Sequence, residues 1–218
     1  MYKNLIKIFL LLLIIIIIFI SYLSIYGIKT KRFNELIKSE LIKQDYRLNI
    51  DLNEVFIKLN IKEKSFSLNS RNLKLYINDE VQRIKSVDLL IDINSIIKQK
   101  NKVKKILINS EKNEILGLLK FIRAYKINLP ALYLENIIRR GKITYNIVVT
   151  TQDQKEYNIE LKGIISDVDI NILDKEIIED VNFNLDYKDK VLELKNLKVK
   201  YKKINFSSEN ILAIIDKN

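Results

Sequence analysis

Asp167, Asp169 and Asp174 come nearest, among the residues of this chain, to a spacing that does chemistry. Closely spaced carboxylates are hard oxygen ligands of the kind that hold Ca²⁺. These three lack the glycine and the closing glutamate of a calcium loop, and apolar residues alternate with them. They read as carboxylates on the wet face of a strand. The 218 residues include no cysteine and no histidine. That removes disulfides, thiol nucleophiles, Ser-His-Asp triads and most zinc and iron sites. Four glycines, one proline and no G-x-x-x-x-G-K or G-x-G-x-x-G pattern argue against a phosphate loop. The expectation is a protein with no metal, no cofactor and no catalytic residues, so the search turns to binding.

Lys and Arg number 38 against 27 Asp and Glu, a net charge of +11. The chain is rich in Ile, Lys and Asn, the bias of an AT-rich genome, which accounts for the charge without a function. The functional alternative is attraction to anionic headgroups or nucleic acid. Nucleic acid fits badly, for there is no Arg-rich cluster and no recognised binding motif.

Residues 8–28, IFLLLLIIIIIFISYLSIYGI, carry no charge. As a helix they would span roughly 32 Å, about the thickness of the hydrocarbon core. Tyr22 and Tyr26 suit an interfacial belt. Ser21-Tyr22-Leu23-Ser24 offers little of the small-x-small site that a signal peptide ends on, so residues 1–28 are expected to be an uncleaved anchor. Lys3 and Lys7 precede the span, while Lys29, Lys31 and Arg32 follow it. Charge alone therefore votes slightly against placing the C-terminal part outside the cytoplasm.

Residues 29–50 read as a polar connector, with NELIKSELIK a short helix carrying Leu36, Ile37, Leu41 and Ile42 on one side. Residues 51–218 read as one domain in which the period becomes two. Val55, Ile57, Leu59 and Ile61 alternate with polar residues, as do Leu73, Leu75 and Ile77, and Val87, Leu89, Ile91 and Ile93. A single convincing internal helix covers 113–125, with Asn113 as N-cap and Ile115, Leu118, Leu119 and Ile122 as its apolar stripe. Pro130 should return the chain to strand at about 132–139. The segment RRGKITYNIVVT then sets Ile143, Tyr145, Ile147 and Val149 on one face. After a hairpin loop at TTQDQK come Tyr157, Ile159 and Leu161, with a bulge expected at Gly163. Phe183 and Leu185 lie on a later strand. The basic runs 98–105 and 198–203 suit lysines that blunt strand edges. The whole reads as an antiparallel meander of roughly nine to eleven strands.

One helix, about 10 Å wide, covers only about two or three strands spaced at about 4.8 Å. The rest of the apolar face needs a second sheet, a partner protein or lipid. An Ile/Leu/Val lining with Tyr and Phe and no Trp suits acyl chains better than a small polar ligand.

Segments 118–149, 157–172 and 181–201, with the N-terminal anchor, resemble the N-terminal part of the AsmA-like family of bacterial envelope proteins. The resemblance implies a single-pass inner-membrane protein whose C-terminal domain stands in the periplasm. It implies an antiparallel meander curved into an open groove, a β-taco with one internal helix, that binds phospholipid and moves it toward the outer membrane or maintains that membrane. Other envelope proteins would be its partners. The groove lining would be Ile143, Tyr145, Ile147, Val149, Ile159, Leu161, Phe183 and Leu185, with Ile115, Leu118, Leu119 and Ile122 on a capping helix. Family members are usually several times longer. The rival reading is an anchored β-sandwich scaffold that binds no lipid, in which those residues would be covered by protein.

Overall fold

A computed structural model describes residues 2–97, 103–151, 157–173 and 176–214. Helix α1 (Tyr2–Ile25) holds an apolar stretch, Ile6–Ile25, long enough to cross a bilayer, and of it only Leu23, near the end, is buried against the rest of the chain. It ends at Gly27, whose φ of +70° is the left-handed conformation that closes helices. A Cβ there would stand 2.6 Å from the Ile57 carbonyl oxygen and 2.6 Å from the Phe56 ring. Only glycine lets the chain turn this tightly from the helix onto the sheet.

The elements that follow are β1 (Ile28–Thr30), α2 (Asn34–Gln44), β2 (Leu48–Asp51), β3 (Val55–Asn60), β4 (Ser65–Ile77) and β5 (Glu80–Asp92). Then come α3 (Ile93–Ile97), β6 (Val103–Ser110), β7 (Asn113–Glu114), α4 (Ile115–Tyr125) and α5 (Leu129–Ile137). Five long strands finish the chain: β8 (Ile138–Thr151), β9 (Tyr157–Leu173), β10 (Glu176–Lys188), β11 (Val191–Tyr201) and β12 (Ile204–Ile214). They form one sheet in the order β1-β3-β4-β5-β6-β8-β9-β10-β11-β12, with β2 added to β4 and β7 to β8. The ladders are antiparallel, and the sheet curls into an open groove without a second sheet. The sandwich expectation therefore fails. Residues 29–50, read as a connector, supply β1, α2 and β2.

Most of the long strands bend at a one-residue irregularity, and those of β8–β11 fall beside one another. Their apolar series changes parity at Asn72 in β4, Gly141 in β8, Asp167 in β9, Asp180 in β10 and Asn196 in β11. Each of these residues has positive φ. Ile159, Leu161 and Ile165 precede Val168 and Ile170 in β9, and Leu192 and Leu194 precede Leu197 and Val199 in β11. Register shifts lie beside these positions in the ladders of β8 with β9, β9 with β10 and β10 with β11. These are bulges, and each offsets the alternation by one residue so that the apolar residues stay on one face. Side chains take up backbone donors at the bend. The Asp167 amide donates to Asn182 Oδ1 at 3.1 Å, and the Asp180 amide to Asp169 Oδ1 at 3.2 Å.

Several expectations need correction. Among the described residues, α3 and α5 join the two expected helices, α2 and α4. Pro130 does not return the chain to strand. It sits in the first turn of α5, where its missing N–H costs nothing, and Asn128 caps that helix by accepting from the Ala131 amide at 3.0 Å. Residues 132–137 are therefore helical. Asn113 is not a helix cap. Its side chain is engaged with the Arg83 backbone, accepting from the amide and donating to the carbonyl at 3.0 Å each, and Glu114 precedes α4 instead. Gly163 lies in unbroken register between Tyr145 and Leu185, so the bulge of β9 is at Asp167.

Asn196 is exposed and adopts φ +55°. Asn196→Gly is expected to leave stability nearly unchanged. Asn196→Val, which sets a branched Cβ in the left-handed region, should cost about 1–2 kcal/mol. Chemical denaturation of the full chain in mild detergent measures both.

Candidate functional site

The register assembles the apolar residues of successive strands into rows. One row passes through Ile28, Ile57, Leu68, Leu89, Ile106, Val149 and Ile159, each directly opposite the next. The next row, through Val87, Ile108, Ile147, Leu161, Tyr187 and Leu192, continues to Ala213 on β12. A third joins Tyr145, Gly163, Leu185, Leu194 and Ile211. Strand alternation alone puts these residues on a common side. Ten strands in series make such a face roughly 48 Å across.

Helices α4 and α5 cover one end of this face. Ile115 and Leu119 of α4 and Ala131 of α5 are buried with Val168 and Val181, and Ile143, Ile165, Phe183, Leu197 and Val199 pack against them. Residues from both sides of the bend meet in that one cluster, which shows that the bulges keep a single apolar face. Ile143 and Phe183, expected to line an open groove, form its floor beneath the helices. Tyr145, Ile147, Val149, Ile159, Leu161 and Leu185 lie beyond that cluster. They are half-buried, except Ile159, which is 46% exposed. Burial pushes the Tyr145 phenol above its ordinary pKa. Of the expected capping stripe, Ile115 and Leu119 are buried, Leu118 is half-buried and Ile122 is exposed. Tyr125, Ile127, Leu129 and Tyr133 are also exposed on this helical pair.

The cap is pinned at several points. Arg123 on α4 reaches Glu135 on α5 with two hydrogen bonds, of 2.8 and 3.3 Å. Arg47 donates to the Ala124 carbonyl at 2.7 Å and the Tyr125 carbonyl at 3.2 Å, closing the C-terminus of α4, where a cation also suits the helix dipole. Asp45 holds that guanidinium, and the hydrogen bonds from Arg47 set the Asp45 carboxyl below its ordinary pKa. At Gly141 (φ +149°) an added Cβ would meet Val168 Cγ2 at 2.7 Å and Ile115 Cδ1 at 3.0 Å.

The opposite face is polar, and many of its side chains pair with one another. Asn109 donates to Ser86 Oγ at 2.9 Å and accepts from Asn146, while Asn69 donates to Asp88. Lys188 meets Glu160 at 2.9 Å and Lys195 meets Glu193 at 2.8 Å. Among the described residues no group of three potential ligands surrounds a metal position. Asp169 is occupied by Arg140 at 2.5 Å, and Asp174 lies outside the described residues. Of the basic run 98–105, residues 98–102 lie outside them too, and Lys104 pairs with Asp92 at 2.8 Å. In the run 198–203, Lys200 and Lys202 pair with Glu179 and Glu176.

Sequence reasoning named only the β8–β10 part of the apolar face. Ile57, Leu68, Leu89 and Ile106 carry the same rows across the other half of the sheet, and the same alternation marks them. Comparison with family models, curated proteins and solved structures finds no match to this chain, so the functional argument rests on the geometry.

Gly141→Ala should loosen the cap and cost about 1–3 kcal/mol in denaturation, through strain in φ and overpacking against Val168. The carboxyl of Asp169 is held below its ordinary pKa, chiefly by the hydrogen bond from Arg140. Its contribution to stability is complete above the ordinary carboxylate range, near pH 4, and is lost as pH falls through the lowered value. Unfolding measured from pH 7 to pH 2 should show that acid-side loss, and Asp169→Asn should make it smaller.

Proposed function

We propose that this protein is a membrane-anchored lipid-binding groove whose apolar sheet face holds the acyl chains of phospholipid. The observation that carries the reading is the continuous apolar rows left without a second layer beyond the α4–α5 cap. A soluble domain of this size normally buries such a face against another layer. Here the anchor α1 makes bilayer lipid the nearest apolar material. Each methylene laid on the face gains about 0.8 kcal/mol, while the headgroup stays wet at the rim. The lining is aliphatic and repetitive along the curl, so a chain can shift from one row to the next without breaking a specific polar contact. α4 and α5 close one end of the trough.

The resemblance to AsmA-like proteins supports a more specific setting. α1 stands in the inner membrane, the sheet stands in the periplasm, and phospholipid moves toward the outer membrane or serves its maintenance. No step in this work is chemical, in keeping with an apolar face that brings no convergent polar groups together.

A photoreactive residue at position 161 of the full chain, expressed in a bacterium with two membranes, should capture phospholipid. The same residue at position 162, on the polar face, should not. Ile147→Asp should lower capture from position 161 about tenfold or more, since Ile147 faces Leu161 directly and a buried unpaired carboxylate is costly. Equal capture from both faces would overturn the groove. Absence of lipid from a well-folded chain would favour a scaffold that meets other envelope proteins through the exposed strand β12.

A further inference from the structure

At the foot of α1 the polar face of the sheet forms a cavity of about 640 Å³. Lys29, Lys31 and Arg71 stand on its wall with Asn34, Asn53 and Phe56, and Glu54 is the one carboxylate there. The register explains the grouping. Lys29 lies opposite Phe56 on the first ladder, Phe56 lies opposite Asn69 on the next, and Arg71 follows along β4. Elsewhere on the sheet several lysines are matched, as in Lys188 with Glu160 and Lys195 with Glu193. Among the described residues, Lys29, Lys31 and Arg71 enter no ion pair. Three unmatched cations facing one carboxylate leave a positive site, while the Asn34 amide beside them is spent on the Leu52 and Asn53 carbonyls.

We propose that this cavity binds the phosphodiester headgroup of an anionic phospholipid in the bilayer that holds α1. Lys29 is the fourth residue after Ile25, where the apolar span ends, so the cavity opens beside the membrane surface. Anionic headgroups attract juxtamembrane cations within about a Debye length, some 8 Å at physiological salt. A volume of this order suits a headgroup. Gly27 fixes the turn between α1 and β1, so the cations keep a set position relative to the helix end. The site also accounts for Lys29 and Lys31 following the span, the charge that a topology rule alone counts against an outward-facing domain. The proposal rests on α1 crossing a bilayer and is independent of acyl chains lying in the groove.

The test uses the delipidated full chain in dodecyl maltoside micelles, titrated with dioctanoyl phosphatidylglycerol, dioctanoyl phosphatidylcholine or inorganic phosphate and followed by native mass spectrometry. The triple variant Lys29→Gln, Lys31→Gln, Arg71→Gln should bind phosphatidylglycerol about tenfold or more weakly than the unaltered chain. The control triple Lys142→Gln, Lys198→Gln, Lys203→Gln removes the same charge elsewhere and should change binding less than about twofold. Phosphatidylcholine, whose headgroup carries no net charge, should bind alike to all three proteins. Unchanged phosphatidylglycerol affinity in the first triple, or an equal loss of phosphatidylcholine affinity there, overturns the proposal. Displacement of phosphatidylglycerol by an equal concentration of inorganic phosphate also overturns it, because free phosphate would then be the ligand. A failed groove shows differently. Ile147→Asp with Leu161→Asp would then leave both lipids bound as before, whatever the first triple does.

Discussion

The side-chain period of a β-strand is two, and this fold depends on that constraint being broken by one residue in most of its long strands. A strand that bends through an inserted residue without compensation sends the rest of its apolar series to the wrong face. Here the sequence changes parity where the backbone does. Asn72, Gly141, Asp167, Asp180 and Asn196 adopt positive φ, and the apolar residues step from odd to even numbers, or the reverse, across them. Asn, Asp and Gly are the residues that tolerate this region. The aligned bulges give the sheet its bend while Val168, Val181, Ile143 and Phe183 still converge on one cluster.

That arrangement divides the molecule into a built half and an unfinished half. On the cap side, Ile115, Leu119, Val168 and Val181 form an ordinary small core, sealed by Arg47 on the last turn of α4 and by the close approach at Gly141. Beyond it the same face carries Ile147, Leu161, Leu185 and Leu194 with no facing layer. Every 100 Å² of apolar surface left wet forgoes about 2.5 kcal/mol. The ladders and the polar-face pairs hold the sheet without that gain, so an occupant of the trough adds stability to a scaffold that is already standing. Binding by completion of a core needs no polar recognition, in agreement with the aliphatic lining.

How much of this was legible depended on which physical signal dominated each segment. The alternation of Ile143, Tyr145, Ile147 and Val149, and of Ile159 and Leu161, is the plain signature of a half-buried strand, and the sheet follows it. α5 was hidden because Pro130 reads as a breaker, although Asn128 two residues before it is the cap that makes a proline an initiator. Asn113 looked like a cap by type and position but is consumed by the Arg83 backbone, a contact thirty residues away that no local pattern contains. The bulge was sought at glycine, at Gly163, whereas β9 uses an aspartate. The parity change from Ile165 to Val168 was its visible trace. The basic cavity was beyond reach, since Lys31 and Arg71 are joined only by the fold of β1, β3 and β4.

The two faces meet at the edge where α1 joins the sheet. Ile28 begins the apolar row and Lys29, the next residue, points to the cationic cavity on the other side. The alternation that makes the sheet amphipathic thus starts within three residues of the end of α1. A flexible tether would let the sheet tumble and average the two faces over the bilayer surface. Gly27, packed on Phe56 and the Ile57 carbonyl, and Leu23, buried at the end of the helix, make the junction a fitted one instead. Helix α1 is therefore held in a set relation to the first strand, with apolar residues on one side of that strand and positive charge on the other. A phospholipid carries the same division in its own structure, acyl chains at one end and a charged phosphate at the other.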